Sequence, residues 1–267
     1  MIQHILFPVD FSKAAEEAGS VVQAWARSFG AQVTMLHVCE GSGLVAEEQR
    51  LKGFLVDGFE GVKLKRLQMQ GAAADAIVRY SAANSVDLIL MPTLGYTRFR
   101  QLLLGSVTAG VLHDSLIPVW TSPHVASPSV TEIPKQIVCA VDCGSETATV
   151  VQYAQGLANK FEASLKVMHS SPAIPGKFDS AIAQRAHHFA LQRAREDYEA
   201  AIASLRDKPA LEIVEDATLV EGVRRVVEQE NADLLVIGRG KIQGYFGRLR
   251  SNAHDLIRMA GCPVLSV

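Results

Sequence analysis

Four motifs of this 267-residue chain occur twice, in the same order and at nearly constant spacing. His4-Ile5-Leu6-Phe7-Pro8-Val9-Asp10 returns as Gln136-Ile137-Val138-Cys139-Ala140-Val141-Asp142, and Val33-Thr34-Met35-Leu36-His37-Val38 returns as Leu165-Lys166-Val167-Met168-His169-Ser170. Asp10 and Asp142 lie 132 apart, as do His37 and His169. Val86-Asp87-Leu88-Ile89 returns as Ala232-Asp233-Leu234-Leu235, 146 on, and Ile117-Pro118-Val119 as Cys262-Pro263-Val264, 145 on. One such echo is cheap, whereas four in order mark the duplication of a single folding unit. The length suits two small domains at roughly 100–200 residues each.

Between the copies, Ser122-Pro123-His124-Val125-Ala126-Ser127-Pro128 and its continuation to Pro134 offer no apolar period and read as a linker. The expected organisation is therefore a first domain over 1–122, a linker over 123–134 and a second domain over 135–267. Within the first copy, residues 3–9, 32–38, 63–69, 87–91 and 117–121 are strand candidates, several of them continuous apolar runs suited to a sheet covered on both faces. Helical patterns lie between them, at Ala14 to Phe29, Asp75 to Asn84 and Ser106 to His113. The second copy repeats the plan and adds a long helix near Phe178 to Arg206, with Ile182, Ala186, Phe189, Ala190 and Ala194 at helical spacing. This alternation predicts two tandem α/β domains, each a doubly wound five-stranded parallel sheet.

Composition narrows the function. A net charge of -2 offers no basic face for nucleic acid. No run of 18 apolar residues is present, so no membrane span is expected. Met1 to Phe7 lacks the basic flank of a signal peptide and reads as a first strand, so the cytoplasm is the expected compartment. Cys39, Cys139, Cys143 and Cys262 form no CxxC pair and are expected to be free thiols.

In an open parallel sheet, ligands sit at the carboxyl ends of the strands, where the winding changes direction. Asp10 directly follows the first strand, and Gly95 and Gly105-Ser106 follow the fourth, ahead of a helix. A glycine beside serine at a helix start brings backbone N–H groups and the positive end of the helix dipole to a phosphate. The Ser106 hydroxyl is placed to cap that helix or to hold phosphate. No Gly-x4-Gly-Lys-Ser/Thr and no Gly-x-Ser-x-Gly is present, which excludes a P-loop and a hydrolase elbow.

Met91-Pro92-Thr93-Leu94-Gly95, nine residues, then Gly105-Ser106-Val107 resembles the phosphate signature of the universal stress protein family: Gly, two residues, Gly, nine residues, Gly, then Ser or Thr. The Pro8-Val9-Asp10, His37-Val38 and Ile117-Pro118-Val119 segments fit the same family. The resemblance covers nearly the whole chain, once per copy. It implies a Rossmann-like fold of the adenine nucleotide alpha hydrolase type and ATP as ligand. Pro8, Val9 and Asp10 would contact adenine and ribose, and Val38 would line the adenine pocket. Met91, Thr93 and Gly95 would flank ribose and phosphates, while Gly105, Ser106 and Val107 would hold the phosphates. Gly71 matches the family's glycine after the third strand. Pro92 departs from the pattern by standing where its first glycine belongs; it has no N–H to give.

The second copy departs further. Gly238-Arg239-Gly240-Lys241 opens the pattern with lysine for the second glycine, Ser251-Asn252 stands where Gly-Ser belongs, and Ala217 replaces Gly71. This copy resembles the branch of the family that does not bind ATP. Arg239, Lys241, Arg248 and Arg250 form either a solvated basic loop or a different anion site. The family also pairs through its last strand. The segments 117–121 and 263–267 are therefore expected to join the two copies as an intramolecular pseudo-dimer, with a homodimer as a further option. The leading expectation is an ATP-binding stress-response regulator without dedicated catalysis. A slow ATPase with Mg2+ at Asp10 and a nucleotide-free scaffold are the alternatives.

Overall fold

The computed structural model describes residues 2–39, 44–93, 104–122, 131–172, 181–239 and 251–267. In the first half, β1 (His4–Pro8), β2 (Gln32–Cys39), β3 (Leu64–Gln70), β4 (Leu88–Met91) and β5 (Val119–Thr121) alternate with α1 (Lys13–Phe29), α2 (Leu44–Gly53), α3 (Ala73–Ala83) and α4 (Ser106–Asp114). The second half repeats this with β6 (Gln136–Ala140), β7 (Ser164–Pro172), β8 (Leu211–Asp216), β9 (Leu234–Ile237) and β10 (Val264–Ser266). Its helices are α5 (Thr147–Phe161), α6 (Ala181–Ala201), α7 (Leu219–Gln229) and α8 (Ser251–Met259).

The ten strands among the described residues form one sheet in the order β3-β2-β1-β4-β5-β10-β9-β6-β7-β8. Pairing is parallel within each half, and the halves meet at an antiparallel seam in which Trp120 faces Leu265. The winding reverses between β1 and β4, and again between β6 and β9. Each half thus has the switch point that the strand–helix alternation predicts.

The strands are apolar on both sides because helices cover both. Ile5 and Phe7 of β1 belong to one core with Trp25 and Val22 of α1, while Leu6 between them packs into the other with Ile77 of α3 and Val111 of α4. Both cores run continuously through the two halves. Trp25 packs on Phe161 of α5 with ring centroids 5.0 Å apart, and its indole N–H donates to the Glu132 carbonyl at 3.0 Å. That bond anchors the end of the expected linker; residues 123–130 lie outside the described residues. The repeated aspartates have a shared structural role. Asp87 accepts the Gln3 and His4 amides at the start of β1, and Asp233 accepts those of Lys135 and Gln136 at the start of β6.

Two features differ from expectation. Helix α2 gave no clear sequence signal and is fixed by tertiary bonds: the Arg66 guanidinium donates to the carbonyls of Leu51 and Phe54, each at 3.0 Å. The long helix exists as α6, but the middle of its apolar stripe does not face the core. Ala186 and Ala190 are exposed, as is Phe189, and the helix enters the core only near Tyr198.

Candidate functional site

The first strand ends in a tight turn. Asp10 accepts the Ser12 amide at 3.0 Å, Phe11 takes a left-handed φ of 60°, and the Ser12 hydroxyl caps α1 by accepting from Ala15 N at 3.2 Å. A bulky residue at positive φ is strained and persists only where its surroundings hold it. Here the Phe11 ring lies 4.3 Å from the His37 ring and 5.3 Å from Phe54, with the Arg50 guanidinium 4.5 Å over its face. His37 Nδ1 donates to the Val9 carbonyl at 2.8 Å, tying the end of β2 to the turn. The second half copies the device: Cys143 has φ 58°, Asp142 accepts Gly144 N at 2.9 Å, and His169 Nδ1 donates to the Val141 carbonyl at 2.9 Å. The paired histidines of the sequence are structural ties.

Behind this turn, at the β1/β4 switch point, lies a cavity of about 260 Å³. Val9, Leu36, Val38, Ile77 and Met91 give it apolar walls, Pro8 and Asp10 form its strand-one rim, and Gly105, Ser106 and Val107 close it with the start of α4. Gly105 is the N-cap residue of α4 and offers no side chain, so the first turn is uncapped. The first internal helical bond runs from Ala109 N to Gly105 O at 2.8 Å, so the amides of Ser106, Val107 and Thr108 have no partner within the helix. Ser106 is the first helical residue rather than the cap, so its hydroxyl does not cap α4. The loop after β4 is pinned to the same helix: Thr108 Oγ1 donates to the Pro92 carbonyl and Gly105 N to the Thr93 carbonyl, both at 3.0 Å.

Of the sequence-chosen residues, Pro8, Val9, Asp10, Val38, Met91, Gly105, Ser106 and Val107 meet around this cavity. Thr93 is buried and its carbonyl holds the helix start; it does not line the cavity. Gly71 also lies off the lining. It turns the chain out of β3 at φ +126°, a conformation open to glycine, and its amide bonds Cys39 O at 3.2 Å. Gly95 lies outside the described residues. The lining residues missed from sequence are Leu36, Ala73, Ile77 and Thr108, and Pro92, noted there as a departure from the signature, lines the cavity too; the helical spacing of Ala73 and Ile77 could have found that pair.

The second half carries a matching but smaller cavity, of about 90 Å³. Leu219 stands there in place of Ala73 and Ser170 in place of Val38, so one wall is larger and another is polar. Ala217, replacing Gly71, does not adopt a positive φ. Helices α4 and α8 end on Asp114 and Met259, and the bonds that close them, Ser115 N to Val111 O and Ala260 N to Leu256 O, correspond at a spacing of 145, so Ser251 matches Ser106. This corrects by one residue the sequence alignment that set Ser251 against Gly105. Arg250, which then takes the place of Gly105, lies outside the described residues with Gly240, Lys241 and Arg248. Arg239 is described, and neither reading of it as part of a basic loop or an anion site holds. It is 1% exposed and its guanidinium donates to carbonyls of the first half: Ser115 at 3.0 Å, Ile117 at 2.7 Å and Leu112 at 3.4 Å.

Among the described residues, no group of three or more His, Cys, Asp or Glu side chains could hold a metal ion, and no helix is long and apolar enough to cross a membrane. The four cysteines are free; three are buried and Cys143 is partly exposed. Burial pushes the Cys139 and Cys262 thiols up to about 12.

The universal stress protein family model matches residues 44–123 and 134–267. The chain belongs to the universal stress protein family. Universal stress protein MJ0577 of Methanocaldococcus jannaschii is 30% identical over 151 residues, covering 45% of this chain and 93% of that protein. Universal stress protein Slr1230 of Synechocystis is 48% identical over 61 residues, but the match spans 23% of this chain and only 21% of that relative's length. The tandem fold has whole-chain counterparts. A universal stress protein of Archaeoglobus fulgidus superimposes with a TM-score of 0.70 at 21% identity, covering 98% of this chain and 95% of its own. A Pseudomonas aeruginosa protein does so with 0.72 at 17% identity, covering 100% and 93%.

Proposed function

We propose that this universal stress protein is a cytoplasmic regulatory module that binds ATP in its first half and has no dedicated catalytic apparatus. The observation that carries the reading is the 260 Å³ cavity at the β1/β4 switch point, apolar on its strand side and closed by the uncapped start of α4. An adenine ring suits the apolar walls. Phosphates suit the amides of Ser106, Val107 and Thr108, where the helix dipole adds positive potential. Asp10 supplies the single carboxylate among the described lining residues, so Mg2+ would be held chiefly by the nucleotide's own phosphates. Residues 1–122 and 135–267 are the domains of this reading, 123–134 the linker, and the β5–β10 seam supports treating them as a linked pseudo-dimer. The second cavity, with Leu219 in its wall, offers less room than the first, which favours the first half as the nucleotide site.

Nucleotide released from the freshly purified protein by denaturation tests this. About one adenine nucleotide per chain is expected. About two would show that the second half also binds, and none, with no heat of ATP titration in Mg2+, would leave an interaction scaffold. Gly105→Val separates site from fold. Gly105 has φ -58° and ψ 142°, which valine adopts freely, so the loss in stability should stay near the cap cost of about 1 kcal/mol while the added side chain crowds the phosphate path. ATP affinity is expected to fall at least tenfold by calorimetry, for the loss of about one charge-assisted contact; unchanged affinity would remove the phosphates from α4.

A further inference from the structure

The two ends of helix α4 belong to different halves of the molecule. Its first amides close the first-half cavity. Its last turn, where the Ser115 amide bonds Val111 O at 2.9 Å, is gripped by Arg239 from the second half. Arg239 follows β9, and its own amide donates to the Val267 carbonyl at 3.1 Å, just beyond β10. The side chain is therefore rooted in the second-half sheet while its head reaches residues 112–117 of the first. In chain position it matches Thr93, the residue whose carbonyl holds the Gly105 amide at the other end of α4.

We infer that Arg239 is a positioning residue for the first-half nucleotide site, and that through it the second half sets the placement of α4 and hence the grip on phosphate. This rests on the proposed ATP site. The chemistry favours such a role. A planar guanidinium can serve several carbonyls at once, which a lysine ammonium on its flexible stem cannot do in the same geometry. A cation at a helix C-terminus also complements the dipole. The grip is 1% exposed, so water does not replace it when it is lost, and the Leu112, Ser115 and Ile117 carbonyls must move to find new partners. Thr108 and Gly105 tie the opposite end of the helix to the β4 loop, so α4 is fixed at one end by its own half and at the other by its neighbour. A second copy that has lost the glycine signature thus remains useful, because its former phosphate-loop position now serves the first copy's helix.

The test compares ATP with adenosine on the full chain, by calorimetry, for wild type, Arg239→Met and Arg239→Lys. Adenosine lacks the groups that α4 would hold. If Arg239 positions α4, Arg239→Met weakens ATP at least about tenfold, the scale of one hydrogen bond to a charged group, and leaves adenosine within about twofold, with Arg239→Lys between. If Arg239 only stabilises the fold, a smaller competent fraction lowers both affinities by one common factor; that result, or no change in either, overturns the inference. Arg239→Lys keeps the charge and carries the test should Arg239→Met fail to fold. Hydrogen exchange without ligand provides the arm that is independent of nucleotide. Faster exchange of the α4 amides in Arg239→Lys, with α1 and α3 unchanged, supports the grip, and an unchanged α4 refutes it. Wild type binding neither ligand would refute the ATP reading while exchange still decides the placement of α4.

Discussion

Glycine-to-alanine exchange in mid-helix can separate packing from propensity, because two helices here offer the same change in opposite surroundings. A Cβ on Gly110 of α4 would lie 2.8 Å from the Ala74 Cβ of α3, whereas a Cβ on Gly156 of α5 would meet nothing within 4 Å. Carbon pairs are comfortable at about 3.5–4.0 Å, so α4 and α3 must part by roughly 0.7–1.2 Å, and Ala74 has no rotamer with which to yield. Forcing an extra methyl into a packed contact costs about 1–3 kcal/mol. Replacing helical glycine by alanine contributes about 0.8–1.0 kcal/mol. Gly156→Ala is therefore expected to stabilise by roughly 1 kcal/mol and Gly110→Ala to destabilise by about as much. Urea unfolding with an unchanged slope measures the gap of about 2 kcal/mol directly, and melting should show it as roughly 4–8 °C. ATP affinity should fall in Gly110→Ala alone, since only that change displaces α4. Equal stabilisation by both substitutions would refute the reasoning, showing that the α3–α4 contact relaxes at no cost.

The remaining expectations concern the whole domain pair. Burial pushes Cys139, Cys262 and Tyr198 up to about 12, from 9.0 for the thiols and 10.0 for the phenol. Groups whose folded values are raised contribute fully below their unfolded values and lose that contribution as pH rises through the folded ones. The melting temperature should hold between pH 7 and about 8.5 and fall from about pH 9 towards 12; a flat profile to pH 11 would contradict the burial of these groups. Asp87→Ala and Asp233→Ala each free two strand-start amides, and each should cost about 1–2 kcal/mol in urea unfolding. They share no partner, so the double variant should be near additive.

The duplication and winding were readable because they rest on local periodicity repeated along the chain. The strand cores Ile5–Phe7 and Leu88–Leu90 and the convergence of Asp10, Met91 and Gly105 all follow from strand–helix alternation and one topological rule. Features decided by distant partners were not readable. Nothing near Leu51 announces that Arg66 will hold the carbonyls of α2. The stripe around Phe189 shows helical period without showing which side faces a core. Arg239 sits among arginines and lysines and reads as one more surface charge; its acceptors lie more than 120 positions earlier, and burial alone reveals its role. The one-residue offset before α8 is marked in the sequence by the fall in repeat spacing from 146 to 145, but on which side of Ser251 it falls is decided only by the matching helix ends.

The strand that closes the seam, β10, is the last in chain order of the ten strands among the described residues, although it lies at the middle of the sheet. During synthesis, the β5 edge must wait for its mate while residues 122–263 are made, roughly 7 to 30 s at about 5–20 residues per second. Over that interval the first half presents a bare strand edge, the surface most prone to joining other chains. β5 and β10, at three residues each, keep that edge short. The brevity of the seam thus limits what a half-made chain can seize, while the two cores that run across it supply the hold that three residue pairs would not.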